Sequence, residues 1–255
     1  MIFTREEIIK AETKLFGGVN LILNSVMDNG LCIIKDYFTE EQAEALKKEQ
    51  LEIYKNIPKL KRSIISGGQE RFENFTQGKA FAVYPDSYKQ FPHMARVMTD
   101  KVLGTAVGTY YQGGQYFMQT FGTYENKVVS EDKLGRHSFL HVDPYAALKI
   151  AFFPMGATEE NGALRVIPGS RAEGARIRVN FMSKNPPGKD GGIAHTIDEF
   201  KEQCPELVTV DEKDAVYMEC SPRDVCLIDT DTFHGGGLIK KKGQERLAVY
   251  IHSRP

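Results

Sequence analysis

The sequence predicts a mainly β fold, an antiparallel barrel or double-sheet roll, supported by helices on its N-terminal side. From about Gln115 onward, strand-length apolar blocks alternate with turn residues. Many short strands at this spacing are typical of antiparallel barrels and rolls. Before that point the signals are helical, and 255 residues suffice for one large domain with a buried core. We therefore expect a single domain over residues 1–255.

The N-terminal part, about residues 1–110, is predicted to be the helical support. Thr4 is a candidate N-cap for a helix over residues 4–15, whose apolar residues recur at helical spacing. Residues 30–34 predict a short strand. The run Thr39-Glu40-Glu41-Gln42 is a capping-box pattern, which predicts a helix ending near Asn56.

The β core is predicted over about residues 111–255. Its strand-like blocks are YFMQTFGTYE, ALKIAFFPMG, ALRVIPGS, AVYMECS, DVCLIDTD and RLAVYIHS. Asn161-Gly162, between the second and third blocks, is a hairpin-turn signal. A long insertion at about 171–214 contains the turn formers NPPGKDGG, and connections of this length are usually functional or mobile. We predict that it is a lid.

Composition excludes several classes of protein. Thirty-three Lys and Arg residues against 34 Asp and Glu residues give a net charge of -1, so no nucleic-acid or membrane-surface partner is expected. The first residues contain no continuous apolar run, which predicts a cytoplasmic protein without a signal or transmembrane segment. The four cysteines form no C-x-x-C pair, and we interpret them as buried small hydrophobic residues of a reducing compartment.

Three side chains form a candidate metal site. His141 and Asp143 are two residues apart in HVDPY, which by itself is more typical of a polar turn. His234, however, follows a predicted strand and precedes three glycines, where the backbone must turn sharply or approach another group closely. Two imidazoles and one carboxylate leave three positions open on an octahedral ion, which is the ligand set of non-haem Fe(II) oxygenases.

Arg246 is a candidate partner for a co-substrate of that iron. It lies twelve residues after His234, inside the last predicted strand. If its guanidinium points into the barrel, it needs an anionic partner there. A dicarboxylate that chelates iron at one end and meets the guanidinium at the other would supply one. The alternative is a surface arginine on an edge strand.

Together with the segment ENGALRVIPGSR at residues 160–171, these side chains resemble the phytanoyl-CoA dioxygenase family of Fe(II)- and 2-oxoglutarate-dependent oxygenases. The resemblance extends over roughly residues 27–255, since DNGLCIIKDYFTEEQAEAL is similar to the opening strand and helix of the family. It implies a double-stranded β-helix, a cupin-like jelly roll, with the metal between its sheets. It also implies Fe(II), 2-oxoglutarate and O2, with oxidative decarboxylation of 2-oxoglutarate to succinate.

By position, the resemblance makes His141, Asp143 and His234 the iron ligands and Arg246 the clamp on the distal carboxylate of 2-oxoglutarate. A further contact to 2-oxoglutarate is expected from the strand before the metal turn. Two residues there are candidates, Gln119 and Thr120.

The expected reaction is oxidation of an unactivated C–H bond of a small molecule, most simply hydroxylation. Asp143 disfavours halogenation, because halogenating relatives replace this carboxylate by a small residue. Desaturation, cyclisation and epimerisation remain open, and so does the substrate, with an amino acid or another small acid as one option. A non-redox, cupin-like isomerase or metal-binding protein is the alternative, and Arg246 distinguishes the two because the alternative does not need it.

Several residues near the predicted barrel mouth are candidate substrate contacts. The glycine- and aromatic-rich segment 66–81 has the composition of a binding loop. The family segment more often ends in PGSH, whereas this chain has arginine at that point. The candidates are His137, Arg71, Arg165 and Arg171.

Overall fold

The computed structural model describes residues 1–12, 17–56, 65–66, 79–83, 90–125, 128, 138–184 and 195–254. Its α-helices are α1 (Arg5–Glu12), α2 (Gly17–Asn29), α3 (Glu40–Asn56), α4 (Pro92–Met98), α5 (Lys101–Tyr110), α6 (Arg171–Lys184) and α7 (Ile197–Gln203). Single-turn 3-10 helices follow at Pro205–Leu207 and Glu212–Asp214. None of the helices in these ranges is long and apolar enough to cross a membrane.

In the described ranges, nine of the thirteen strands lie after residue 110. The strands are β1 (Ile2–Thr4), β2 (Leu31–Lys35), β3 (Ile65–Ser66), β4 (Lys79–Val83), β5 (Phe117–Glu125), β6 (His141–Val142), β7 (Leu148–Phe152), β8 (Leu164–Val166), β9 (His195–Thr196), β10 (Val216–Met218), β11 (Val225–Asp229), β12 (His234–Gly235) and β13 (Arg246–Arg254). All six predicted blocks contain one of these strands.

Within the described ranges, the strands form two sheets. The larger sheet has eight strands in the order β1-β2-β11-β7-β13-β5-β4-β3, and the smaller has five in the order β10-β8-β12-β6-β9. The β1–β2 pair is parallel, whereas the core pairs of β7 with β11 and β13 are antiparallel. From β5 to β8 and again from β10 to β13, consecutive strands alternate between the two sheets, as expected for a double-sheet roll.

The two faces of β7 show where the core lies. Side chains alternate along a strand, so Ile150 and Phe152 join the cluster formed with the N-terminal helices. Ala151 and Phe153 join a second cluster with Val166 of the smaller sheet. The odd-numbered positions of β7 therefore face the interior between the sheets.

The predicted N-cap at Thr4 and the predicted capping box at Thr39 are both present, and Thr4 also belongs to a capping box. The amide of Glu7 donates to Thr4 Oγ1 at 3.1 Å, and the amide of Thr4 donates to the Glu7 carboxylate at 2.7 Å. Thr39 and Gln42 make the same reciprocal pair at 3.2 and 3.0 Å. Each box satisfies amides that have no partner within the helix.

The Asn161-Gly162 turn is not a hairpin, so that prediction is wrong. The preceding strand, β7, belongs to the larger sheet, and the following strand, β8, belongs to the smaller one. Gly162 has φ +91°, a left-handed conformation that favours glycine. The turn signal was correct, but the turn carries the chain from one sheet to the other.

The described part of the insertion at 171–214 contains α6, α7 and two 3-10 helices, and the prediction that the insertion is a lid stays a prediction. Phe181 of α6 and Phe200 of α7 contact each other edge to face, with ring centroids 5.3 Å apart. Both belong to a buried cluster with Val142 and Phe233. Val142 and Phe233 are chain neighbours of the predicted ligands, so α6 and α7 pack against the metal site. The whole of NPPGKDGG lies outside the described residues.

Candidate metal centre

The three predicted ligands converge in the interior, on the inner side of the smaller sheet. His141 of β6 and His234 of β12 are direct partners in an antiparallel pair, and Asp143 follows β6. One potential ligand atom from each residue lies within 4.8 Å of the others, and all three side chains are buried. Among the His, Cys, Asp and Glu side chains of the described residues, these three form the group that could hold a metal ion.

Backbone carbonyls orient both imidazoles. Nδ1 of His141 lies 2.8 Å from the oxygen of Phe139, and Nδ1 of His234 lies 2.8 Å from the oxygen of Thr232. A carbonyl only accepts, so Nδ1 carries the proton and Nε2 has the lone pair. On His234 this Nε2 lies 3.2 Å from Lys149 Nζ, and a bound metal would replace that contact. Both Nε2 atoms face Oδ1 of Asp143, at 3.6 and 3.8 Å.

The glycines after His234 allow the close approach predicted from the sequence. A Cβ at Gly235 would lie 2.5 Å from the oxygen of Phe139, the carbonyl that orients His141. A Cβ at Gly237 would overlap the oxygen of Ala163, the residue directly before β8. Larger residues would therefore push β12 away from its neighbours.

Electrostatics favour the protonation states that a metal needs. Burial acts to raise the pKa of Asp143, but the Lys149 ammonium and the two histidines hold it well below its usual value. Burial, with help from Lys149 and His141, also holds the pKa of His234 well below its usual value. An ionised carboxylate and a neutral imidazole are the forms that bind metal.

Lys149 is a site residue that the sequence analysis missed. It lies on β7, and its Nζ is 2.6 Å from Asp143 Oδ2 and 3.2 Å from His234 Nε2. The block ALKIAFF contained a signal that could have found it. Because side chains alternate along a strand, Lys149 lies on the same face as Ala151 and Phe153, and that face points into the interior.

The donor set fits the iron that the family resemblance implies. Two imidazole nitrogens and one carboxylate oxygen, Oδ1 of Asp143, point to a common centre, while Oδ2 of Asp143 faces Lys149. One carboxylate can therefore serve a metal and an ammonium at the same time. Neutral imidazoles and a carboxylate suit Fe(II).

Arg246 is buried in the interior, so it is not a surface residue on an edge strand. Its residue is 5% exposed, and β13 lies between β7 and β5 in the larger sheet. Its Nη1 donates to the carbonyl oxygens of Gly162 and, at 2.8 Å, of Gly237. The guanidinium thus connects the turn between the sheets with the glycine run after His234.

The two candidates for a further 2-oxoglutarate contact differ in position. Thr120 has its Oγ1 3.5 Å from the sulfur of Met98, between the larger sheet and the helices. It therefore lies on the wrong face of β5, which corrects its inclusion. Gln119 is paired in register with His252, and His252 is paired on its other side with Lys149. Gln119 keeps its place as a proposal.

Arg165 does not face the interior, contrary to its prediction as a substrate contact. It alternates with Leu164 and Val166, which do. Its Nη1 lies 2.9 Å from the Glu212 carboxylate, and its Nη2 donates to the oxygen of Ser138 at 2.8 Å. Arg165 thus joins β8 to the insertion.

Arg171 likewise makes a protein contact. Its Nε lies 2.5 Å from Oδ2 of Asp229, and Arg178 of the same helix forms a two-nitrogen pair with Asp231 at 2.5 and 3.0 Å. These pairs connect α6 to the segment that leads to His234. We therefore correct Arg171 from a substrate contact to a support of that segment. The other two candidates, His137 and Arg71, lie outside the described residues.

The sequence and the fold both match known proteins. The family model for phytanoyl-CoA dioxygenase (PhyH) matches residues 135–243. No curated protein sequence matches the chain. The resemblance predicted from HVDPY and the ENG segment is therefore confirmed over the range that contains the three candidate ligands.

Solved structures extend the match to most of the chain. EctD from S. alaskensis with 2-oxoglutarate and 5-hydroxyectoine has a TM-score of 0.61 at 18% identity, covering 91% of this chain and 74% of that one. The epimerase SnoN with Fe3+, alpha ketoglutarate and nogalamycin RO has a TM-score of 0.58 at 12% identity, with coverage of 92% and 82%. EvdO2 from Micromonospora carbonacea var. aurantiaca, complexed with 2-oxoglutarate, has a TM-score of 0.56 at 13% identity, with coverage of 92% and 90%.

At these identities the neighbours show a shared fold, and the predicted cupin-like jelly roll is confirmed. With the family match, the predicted enzyme class is confirmed as well. It is the class of non-haem iron, 2-oxoglutarate-dependent enzymes.

Proposed function

We propose that the protein oxidises an unactivated C–H bond of a small molecule, most simply by hydroxylation, and converts 2-oxoglutarate to succinate and CO2. The observation that carries this proposal is the convergence of His141, Asp143 and His234 within 4.8 Å in a buried site. Iron bound there would supply the activation of O2. The family match over residues 135–243 supports Fe(II), 2-oxoglutarate and O2 as the cofactors.

The roles of the side chains follow from their positions. The carbonyls of Phe139 and Thr232 keep Nε2 of each histidine directed at the metal. Arg246 would bind the distal carboxylate of 2-oxoglutarate from its buried position on β13. Its guanidinium has five N–H donors, and Nη1 donates to the carbonyl oxygens of Gly162 and Gly237. Gln119 is proposed as a second contact to the co-substrate.

The carboxylate of Asp143 supports oxygen insertion rather than halogenation, because it takes the position that a halide would need. Among the structures similar to this chain, EctD was solved with 5-hydroxyectoine, and SnoN is an epimerase. Hydroxylation is the simplest outcome for this chain, since it needs no further group to redirect the substrate radical. The buried Arg246 disfavours the cupin-like isomerase, which has no use for an interior guanidinium.

A spectroscopic experiment tests the proposal. Protein reconstituted anaerobically with Fe(II) should develop a weak visible metal-to-ligand absorption band when 2-oxoglutarate is added. On admission of O2, succinate should form slowly without substrate and faster with a suitable small acid. Fully metallated protein that shows neither the band nor succinate would refute the proposal.

A further inference from the structure

Lys149 brings a positive charge to the metal site that the proposed reaction does not use. Its residue is 9% exposed, and its Nζ lies between Asp143 Oδ2 and His234 Nε2. Strand β7 fixes this position, because Ala151 and Phe153 on the same face are packed in the interior cluster. The ammonium is therefore held beside the iron ligands.

Asp143 is the carboxylate that contacts Lys149 in the described part of the chain. The other buried acids there have different partners, which makes them unavailable to this lysine. Those pairs are Asp224 with Lys35, Asp229 with Arg171, Asp231 with Arg178, and Glu173 with Thr209.

A bound iron changes the charge balance around Lys149. Asp143 carries one negative charge, which would then face both a divalent ion and an ammonium. Iron, the Lys149 ammonium and the Asp143 carboxylate would together carry two positive charges in excess, and the carboxylate of 2-oxoglutarate that chelates the metal would reduce this excess to one. A buried charge is costly unless it is paired.

We propose that Lys149 binds an anionic group of the substrate beside the iron, so that the enzyme acts on a small acid. This inference rests on the proposed function, because the charge balance requires bound iron and 2-oxoglutarate. One carboxylate of 2-oxoglutarate chelates the metal, the other meets Arg246, and the ammonium of Lys149 meets the substrate. Lys149 is thus a specificity-determining residue.

Acetate and acetamide are matched probes, since they have the same shape and differ in charge. Each is titrated into the anaerobic Fe(II)-2-oxoglutarate complex, and the shift of the visible band gives its affinity. A charge-assisted hydrogen bond predicts that acetate binds about ten- to a hundredfold more tightly than acetamide. This comparison in the unaltered protein requires no variant to fold.

Variants then assign the preference to Lys149. Lys149→Met keeps the length of the side chain and should lower acetate affinity about tenfold or more, leaving acetamide affinity unchanged. Iron affinity should not fall, because the variant removes an ammonium that contacts two of the ligands, and 2-oxoglutarate affinity should fall by less than about tenfold. Lys149→Arg should retain the preference for acetate. Lys213→Met, whose side chain is 77% exposed, is the control and should change nothing.

Several results would overturn the inference. Equal affinities for acetate and acetamide in the unaltered protein would remove the anion site. A preference that survives in Lys149→Met would assign acetate to the iron itself. A tenfold loss of 2-oxoglutarate affinity in that variant would assign Lys149 to the co-substrate. Absence of the visible band altogether would refute the proposed function and the inference together, and this result is distinguishable from the other three.

Discussion

Replacing Gly174 by alanine should weaken the protein and its metal site, although alanine favours helix. Gly174 lies in α6, where an added Cβ would be 2.8 Å from Cγ1 of Val142 and still closer to the backbone oxygen of Asp231. Because one of these neighbours is backbone, the helix or the segment before His234 must move by roughly 1 Å in a close-packed interior.

The magnitude follows from two opposing effects. Overpacking a core costs about 1–3 kcal/mol, while glycine to alanine within a helix gains about 0.5–1 kcal/mol. The backbone oxygen of Asp231 would overlap the added Cβ, so the upper part of the overpacking range, about 2–3 kcal/mol, applies. The net loss in the free energy of unfolding is then about 1–2.5 kcal/mol, which lowers the Tm by about 2–10 °C in a domain of this size. Iron affinity should fall about tenfold, because the displaced residues flank the ligands.

Gly104→Ala is the matched control. Gly104 also lies inside a helix, α5, but no atom is within 4 Å of its added Cβ. This variant should gain about 0.5–1 kcal/mol and raise the Tm by about 1–4 °C. Thermal denaturation and Fe(II) titration of the two variants provide the measurement. If Gly174→Ala proves as stable as Gly104→Ala and binds iron equally well, the packing of α6 against the metal site has been misjudged.

Three further predictions concern the ligands, the co-substrate and pH. His141→Ala or His234→Ala should each abolish Fe(II) binding in an anaerobic titration, and retained stoichiometric binding would exclude that residue as a ligand. Arg246→Ala should weaken 2-oxoglutarate binding about tenfold or more while sparing the metal, and equal 2-oxoglutarate affinity would remove Arg246 from its site. Burial acts to raise the pKa of Asp224, but hydrogen bonds from Lys35 and from the amides of Ser221 and Asp36 lower it below its usual value. This depressed pKa stabilises the fold above about pH 3.9, the unfolded value, and the contribution is lost as the pH falls through the folded value. Asp224→Asn should therefore cost about 1–3 kcal/mol at pH 7 and less in acid, whereas a cost that does not change with pH in thermal melts would contradict this assignment.

The sequence predicted the parts of the molecule that depend on local chemistry. Thr4 and Thr39 were identifiable as caps because a capping box lies within four residues. The β strands were identifiable because apolar blocks and turn residues separate them. His141, Asp143 and His234 could be combined because the residue types that bind iron are few, even though the chain separates them widely.

What the sequence could not settle depends on tertiary contacts. A turn at Asn161-Gly162 does not reveal whether the next strand joins the same sheet, because that choice is made by distant strands. The sequence does not show that Asp229 lies opposite Arg171, and without that contact Arg171 is interpreted as a substrate contact. The helices of the insertion were obscured by NPPGKDGG, whose turn formers describe only the middle of that segment. Lys149 was hidden because a lysine within an apolar strand is informative only once the strand is known to be buried on both faces.

The pairing of His141 with His234 gives the metal a second consequence. The strands that carry them, β6 and β12, are two residues long each, and such a short ladder contributes little cohesion by itself. An ion bound to both histidines acts as a cross-link between these strands and holds their register, since a slip of one residue would turn the imidazoles to opposite faces. Iron affinity and the free energy of local opening of β6 and β12 are therefore linked quantities. Amide hydrogen exchange around β6 and β12 should slow when the metal binds, while exchange in the eight-stranded sheet stays the same.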